Sequence, residues 1–286
     1  MVEVVLGAAG GLVAGWLVWT GTWPWFAHPG LARPNYRDAV IPGSAGVVMP
    51  LALVAVEAGR AVAVAATGAG DAPANETGRL LTVLVAGGFC LLGLLDDVAG
   101  SGEHRGFRGH LRALASGRVT TGLCKLAGGA AVAVIAVRPL AGDSVARLVA
   151  DAALVALAAN LANLLDRAPG RAGKAGLAAF VVLVAATGAD PVLAGVAVIA
   201  GAAAALLVDD LRERLMLGDA GANPLGAVLG LGVVLATAPA TRNAVLAALV
   251  ALNLLGEVVS FSRVIAAVPP LRSLDRAGRP AATGAG

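Results

Sequence analysis

The chain has 286 residues, 58% of them hydrophobic and only 14% charged, with a formal net charge of +3. Soluble domains carry about 25% charged residues, so an ordinary soluble enzyme is excluded. A small, dispersed positive charge also excludes nucleic acid as a partner. The surplus lies in Ala, Val, Leu and Gly, the composition of packed membrane helices whose small residues let backbones approach closely.

A span across ~30 Å of hydrocarbon needs about 20 apolar residues. The first predicted span, 3–22, lacks a basic leader region and a small-residue cleavage site, so it reads as a retained helix rather than a signal peptide. Trp16, Trp19, Trp23 and Trp25 cluster at its far end, where an interfacial aromatic belt would put them. A basic, proline-punctuated loop follows, with Arg33-Pro34-Asn35-Tyr36-Arg37 and Ile41-Pro42-Gly43-Ser44-Ala45-Gly46 feeding a second span at 44–68. Read plainly, that loop is a connector.

The third predicted span, 78–95, ends in Gly93-Leu94-Leu95-Asp96-Asp97-Val98-Ala99-Gly100. A solvated helix end needs one Asp at most, and paired carboxylates suit a hard divalent cation such as Mg²⁺. Gly106-Phe107-Arg108-Gly109-His110-Leu111 precedes a fourth span at 119–138, which carries Lys125 near its start. Lys125 can neutralise a phosphate or serve as an interfacial anchor.

The fifth span, 145–164, carries Asn160 and Asn163 on one face, and Asp166 continues that face by three more residues. Pro169-Gly170 then breaks the helix. Arg167, Arg171 and Lys174 crowd the turn; they suit phosphate groups, and equally the ordinary basic excess of an inner loop. Spans at 175–189 and 190–208 lead to Met216-Leu217-Gly218-Asp219-Ala220-Gly221-Ala222-Asn223-Pro224. Small residues around Asp219 allow close approach of a ligand, and a helix start just beyond it favours an anion. Spans at 221–238 and 243–266 complete the set. Cys90 and Cys124 both sit in apolar runs and imply neither a disulfide nor a metal site.

The predicted fold is therefore all-α and polytopic, with about nine transmembrane helices (8–10) in a single domain over 1–280 and a disordered tail at 281–286. With the N-terminus outward, the inner side takes most of the basic residues, including Arg33, Arg37, Arg167, Arg171 and Lys174. Arg60, Arg79, Arg138, Arg147 and Arg242 stay outside or mid-span. An N-out, C-in topology follows, and it brings every polar motif to the cytoplasmic side.

Taken together, these motifs resemble the polyprenyl-phosphate N-acetylhexosamine-1-phosphate transferase family, over about Pro34 to Pro280. The family's D-D pair is similar to Asp96-Asp97, its N-x-x-N-x-x-D motif to Asn160, Asn163 and Asp166, and its G-D-x-G-S motif to Gly218–Ala222. Arg33–Arg37 resembles the K-P-N-F-R of the GlcNAc branch. The resemblance implies transfer of a sugar-1-phosphate from a UDP-sugar to a polyprenyl phosphate, with release of UMP, in a bacterial inner membrane. It implies Mg²⁺, with Mn²⁺ as an alternative, on Asp219, Asp96 and Asp97, and catalytic roles for Asp96, Asp97 and Asp166. Substrate-binding roles fall to Asn35, Lys125, Asn160, Asn163, Arg171, Lys174 and Asn223. A homodimer is compatible with the sequence.

Two departures qualify the match. Pro169 stands where the family has a second acid, and no His follows His110. An inactive family member acting as an envelope-assembly scaffold therefore stays open. So does a transporter using Glu57 and Asp151 as an ion path.

Overall fold

The structure is a computed structural model that describes residues 1–26, 28–100 and 120–280. Eleven helices carry the described fold: α1 (Val2–Phe26), α2 (Val48–Thr67), α3 (Pro73–Ala99), α4 (Thr121–Val137), α5 (Val145–Leu165), α6 (Arg171–Ala186), α7 (Ala194–Leu211), α8 (Asp219–Ala236), α9 (Pro239–Val258), α10 (Phe261–Ala267) and α11 (Pro269–Arg276). Among the described residues, eight helical segments are long and apolar enough to cross a membrane. The chain is an all-α polytopic membrane protein. The predicted span at 175–189 is helical as α6 and, at 16 residues, is shorter than the eight long segments; it runs from Gly170, against Leu211 at the end of α7, to Leu183, which meets Gly232 near the far end of α8.

Two boundaries differ from expectation. The loop before α2 is not a plain connector: Ala32–Pro34 (β1) and Val40–Pro42 (β2) pair antiparallel as a short hairpin. The last predicted span stops at Val258, and the chain resumes as two short helices. The predicted disordered tail, 281–286, and the Arg108–His110 motif lie outside the described residues.

Residues with small side chains set the packing. Gly7, Gly11 and Gly15 of α1 lie on the backbone of α7, at Ala194, Val198 and Ala202. A Cβ on Gly11 would run into the Val198 carbonyl. Without water to exclude between helices in lipid, such close contact is what holds spans together. α7 and α8 form the buried centre, with Leu206, Leu225, Leu231 and Val234 fully enclosed. The same device places the polar residues. Gly93 of α3 meets the Asp219 carbonyl, Gly46 lies on Gly221, and Gly226 lies on the Ala158 carbonyl. These contacts gather the ends of α3, α5 and α8 and the start of α2 at one end of the bundle.

Candidate functional site

Asp96 and Asp97 occupy the last turn of α3, and Asp219 is the first residue of α8. The helix begins at this acid rather than beyond it. Gly218 makes the entry with φ +67°, a conformation that favours glycine. A side chain there would also strike the Gly43 carbonyl and the Asp97 carboxylate.

Asp97 is spent on that helix start. Its Oδ1 accepts from the Asp219 backbone N–H at 3.0 Å, and its Oδ2 accepts from the Ala220 N–H at 3.1 Å and the Ser44 hydroxyl at 3.0 Å. This is a capping carboxylate supplied from another helix, placed where the first N–H groups lack partners. Arg33 Nη2 donates to the Asp97 backbone carbonyl at 2.9 Å, so the hairpin is fastened to the same turn.

Asp96 and Asp219 face each other across one cation. The Lys125 ammonium donates to Asp96 Oδ2 at 2.8 Å and to Asp219 Oδ2. Asn163 Nδ2 donates to Asp219 Oδ1 at 2.9 Å and to Asn223 Oδ1 at 3.1 Å. Four segments far apart in the chain thus meet in one hydrogen-bonded cluster.

Beside the cluster lies a recess of about 320 Å³, lined in part by Pro34, Asn35 and Tyr36, by Asp166 to Pro169, and by Asp210 and Glu213. Burial, and then the neighbouring carboxylates of Asp210, Asp219 and Asp97, push the Asp166 carboxyl well above its ordinary value of 3.8. Glu213, with φ 58°, ties the hairpin down. It accepts from Tyr36 at 2.8 Å and Asn35 at 3.3 Å, and pairs with Arg37 at 3.1 Å. A second cavity of about 220 Å³, wholly apolar in character, opens between α5, α6, α8 and α9 and includes Leu154, Leu161, Leu183, Leu225 and Leu249.

Of the residues the sequence singles out, Asp96, Asp97, Lys125, Asn163, Asp219 and Asn223 come together, and Asp166 and Asn35 line the adjoining recess. Asn160 is tied instead to Asn253 of α9, at 2.7 Å. Arg171 and Lys174 are not presented to the cluster. Arg171 grips Asp275 at 2.7 and 3.1 Å and Ser262 at 2.9 Å, while Lys174 caps the carbonyls of Leu274, Asp275 and Ala277. Asp210 and Glu213 line the recess without having been assigned to the site from sequence. Asn253 is buried and pairs with Asn160 across two apolar helices rather than with the cluster.

Among the described residues no three His, Cys, Asp or Glu side chains converge as a complete metal-binding group. Asp96 and Asp219 are nonetheless two hard oxygen donors sharing one positive charge, the ammonium of Lys125. That fits Mg²⁺, which is held by one or two carboxylates and completes its shell with water and substrate phosphate oxygens. No protein-family model matches the chain, and no curated protein matches it.

Proposed function

We propose that this membrane protein transfers a sugar-1-phosphate from a UDP-sugar to a polyprenyl phosphate, at the cytoplasmic face of a bacterial inner membrane, in cell-envelope glycan synthesis. The observation that carries the reading is the convergence of Asp96, Lys125, Asn163 and Asp219, from four separate helices, on one spot at one end of the bundle. An oxygen of the lipid phosphate attacks the β-phosphorus of the donor. The new phosphorus–oxygen bond forms as the bond to the bridging oxygen breaks, and UMP leaves with that oxygen and its electron pair.

Phosphoryl transfer asks mainly for positioning and for neutralised charge on the phosphate oxygens. Asp96 and Asp219 would hold Mg²⁺ or Mn²⁺, which supplies that neutralisation when bound. Lys125 lies within reach of the same oxygens and adds a second positive charge. Asn163, itself held by Asn223, orients Asp219, and Asp97 fixes the helix start that carries it. The 320 Å³ recess suits a nucleotide-sugar donor and the apolar 220 Å³ cavity suits part of a prenyl chain. A phosphate monoester with a second pKa near ~6 is already largely dianionic, so no strong base is needed.

Against transport, Glu57 is held by Arg60 and Arg79, and Asp151 by Arg147 and Arg242. The scaffold reading retains one specific observation, Pro169 at the edge of the recess. The test is UMP release by purified protein with polyprenyl phosphate and Mg²⁺ across a panel of UDP-sugars. Release that needs lipid and metal, and is lost in Asp219→Asn, supports the transferase. No release with any donor, from folded protein, leaves the scaffold.

A further inference from the structure

The segment after α9 is unused by the reaction. α9 ends at Val258, and α10 begins only three residues later. A span that ends there delivers 261–276 directly into the membrane–water interface. This is the same bundle end at which Trp16, Trp23 and Trp25 are exposed, as interfacial aromatics are.

Four interactions pin the segment in place. Asp275 takes Arg171 and Arg279, Lys174 caps the end of α11, and Arg279 Nε donates to the Pro169 carbonyl at 2.9 Å. Because α11 cannot turn freely, its remaining faces have fixed directions. Leu271 and Leu274, three residues apart, are 42% and 68% exposed. Arg272 and Arg276, four apart, form a separate exposed stripe, and Arg263 of α10 is exposed as well. Among the described residues none of these three arginines has a carboxylate partner. The one acid between 258 and 280, Asp275, is already engaged.

We propose that residues 261–276 form an in-plane surface that binds anionic phospholipid headgroups of the surrounding bilayer. Arg263, Arg272 and Arg276 contact the phosphates, and Leu271 and Leu274 enter the acyl boundary. The proximity forced by α9, the uncompensated positive charge and the unpartnered leucines favour the membrane over a soluble partner. Through Arg279 and Pro169 this surface also touches the wall of the recess. The proposal rests on the membrane embedding alone and stands or falls apart from the transferase reading.

Delipidated protein in detergent is titrated with dioleoyl phosphatidylglycerol, dioleoyl phosphatidylcholine or a polyprenyl phosphate, and bound lipid is read by native mass spectrometry. Wild type should retain phosphatidylglycerol over phosphatidylcholine, and the preference should fade at high salt. Each of R263Q, R272Q and R276Q should weaken phosphatidylglycerol binding roughly fivefold, and the triple variant on the order of 100-fold, leaving phosphatidylcholine unchanged. Leu274→Glu should weaken phosphatidylglycerol binding with all arginines in place. Equal retention by wild type and triple variant overturns the proposal. So does a loss confined to polyprenyl phosphate, which would assign the arginines to the lipid substrate instead.

Discussion

Replacing Asp97 with alanine removes the acceptor for three hydrogen bonds at the start of α8: the Asp219 and Ala220 N–H groups at 3.0 and 3.1 Å and the Ser44 hydroxyl at 3.0 Å. A hydrogen bond to a charged group contributes about 1.5–3 kcal/mol, and loss of a helix cap costs about 0.5–2 kcal/mol. The three bonds share one carboxylate and do not add fully, so the expected loss is about 2–4 kcal/mol. For a chain of this size that corresponds to a fall of roughly 5–10 °C in unfolding temperature. Thermal unfolding of detergent-purified protein, followed by thiol exposure of buried Cys90, reads it directly. Asp97→Asn keeps one acceptor oxygen and turns an NH₂ group toward another donor, so it should fall between wild type and Asp97→Ala. An Asp97→Ala protein that unfolds within about 1 °C of wild type would refute the capping role. The comparison also governs how kinetics are read, because a turnover defect in Asp97→Asn counts as chemical only at an unchanged unfolding temperature.

Three other expectations concern the same end of the bundle. Lys125→Gln leaves Asp96 and Asp219 facing each other without their shared cation, so added Mg²⁺ should raise its unfolding temperature more than that of wild type. Arg171→Gln releases the C-terminal clasp by removing the bidentate bond to Asp275. Limited trypsin digestion should then cut at Arg272 and Arg276 roughly tenfold faster, the equivalent of one such bond. Asp166 has its carboxyl pushed up from 3.8 when folded, so the native state holds that proton more tightly than the unfolded chain. Its contribution to stability should therefore be greatest below about pH 4 and decline as pH rises through the folded value. Asp166→Asn should remove this part of the slope in the difference between wild-type and variant unfolding temperatures.

The convergence of the motifs is legible from sequence because lipid leaves the chain few options. Each apolar run of about 20 residues must cross, so polar residues at run ends fall on alternating faces, and Asp96, Asn163, Asp166 and Asp219 all sort to one. The contacts they make there are not legible. Which carboxylate caps α8 depends on how closely α3 approaches it, and that is decided by Gly93 against the Asp219 carbonyl. Sequence gives Asp96 and Asp97 equal standing, yet one shares a cation and the other holds backbone. Arg171 and Lys174 look available for phosphate because their partner, Asp275, lies about a hundred residues downstream. The hairpin at 32–42 escapes notice because three-residue strands are too short to show alternation. The break after Val258 carries no proline to announce it, since the first one comes at Pro269.

The acids of the candidate site are compensated differently from the arginine-paired acids elsewhere in the chain. Glu57, Asp71, Glu76 and Asp151 are each paired with one or two of Arg60, Arg79, Arg147 and Arg242, which compensates charge in or beside a membrane span. At the motif end, Asp96, Asp97, Asp166, Asp210 and Asp219 lie together, and among the described residues Lys125 is the one side chain in a salt bridge with any of them. Asp97 compensates through backbone N–H groups, and burial beside Asp210, Asp219 and Asp97 pushes the Asp166 carboxyl upward. Asp96 and Asp219 are left sharing a single positive charge. A pair so arranged would gain from a divalent cation that brings its own anionic ligand, and on the proposed transferase reading a substrate phosphate is that ligand.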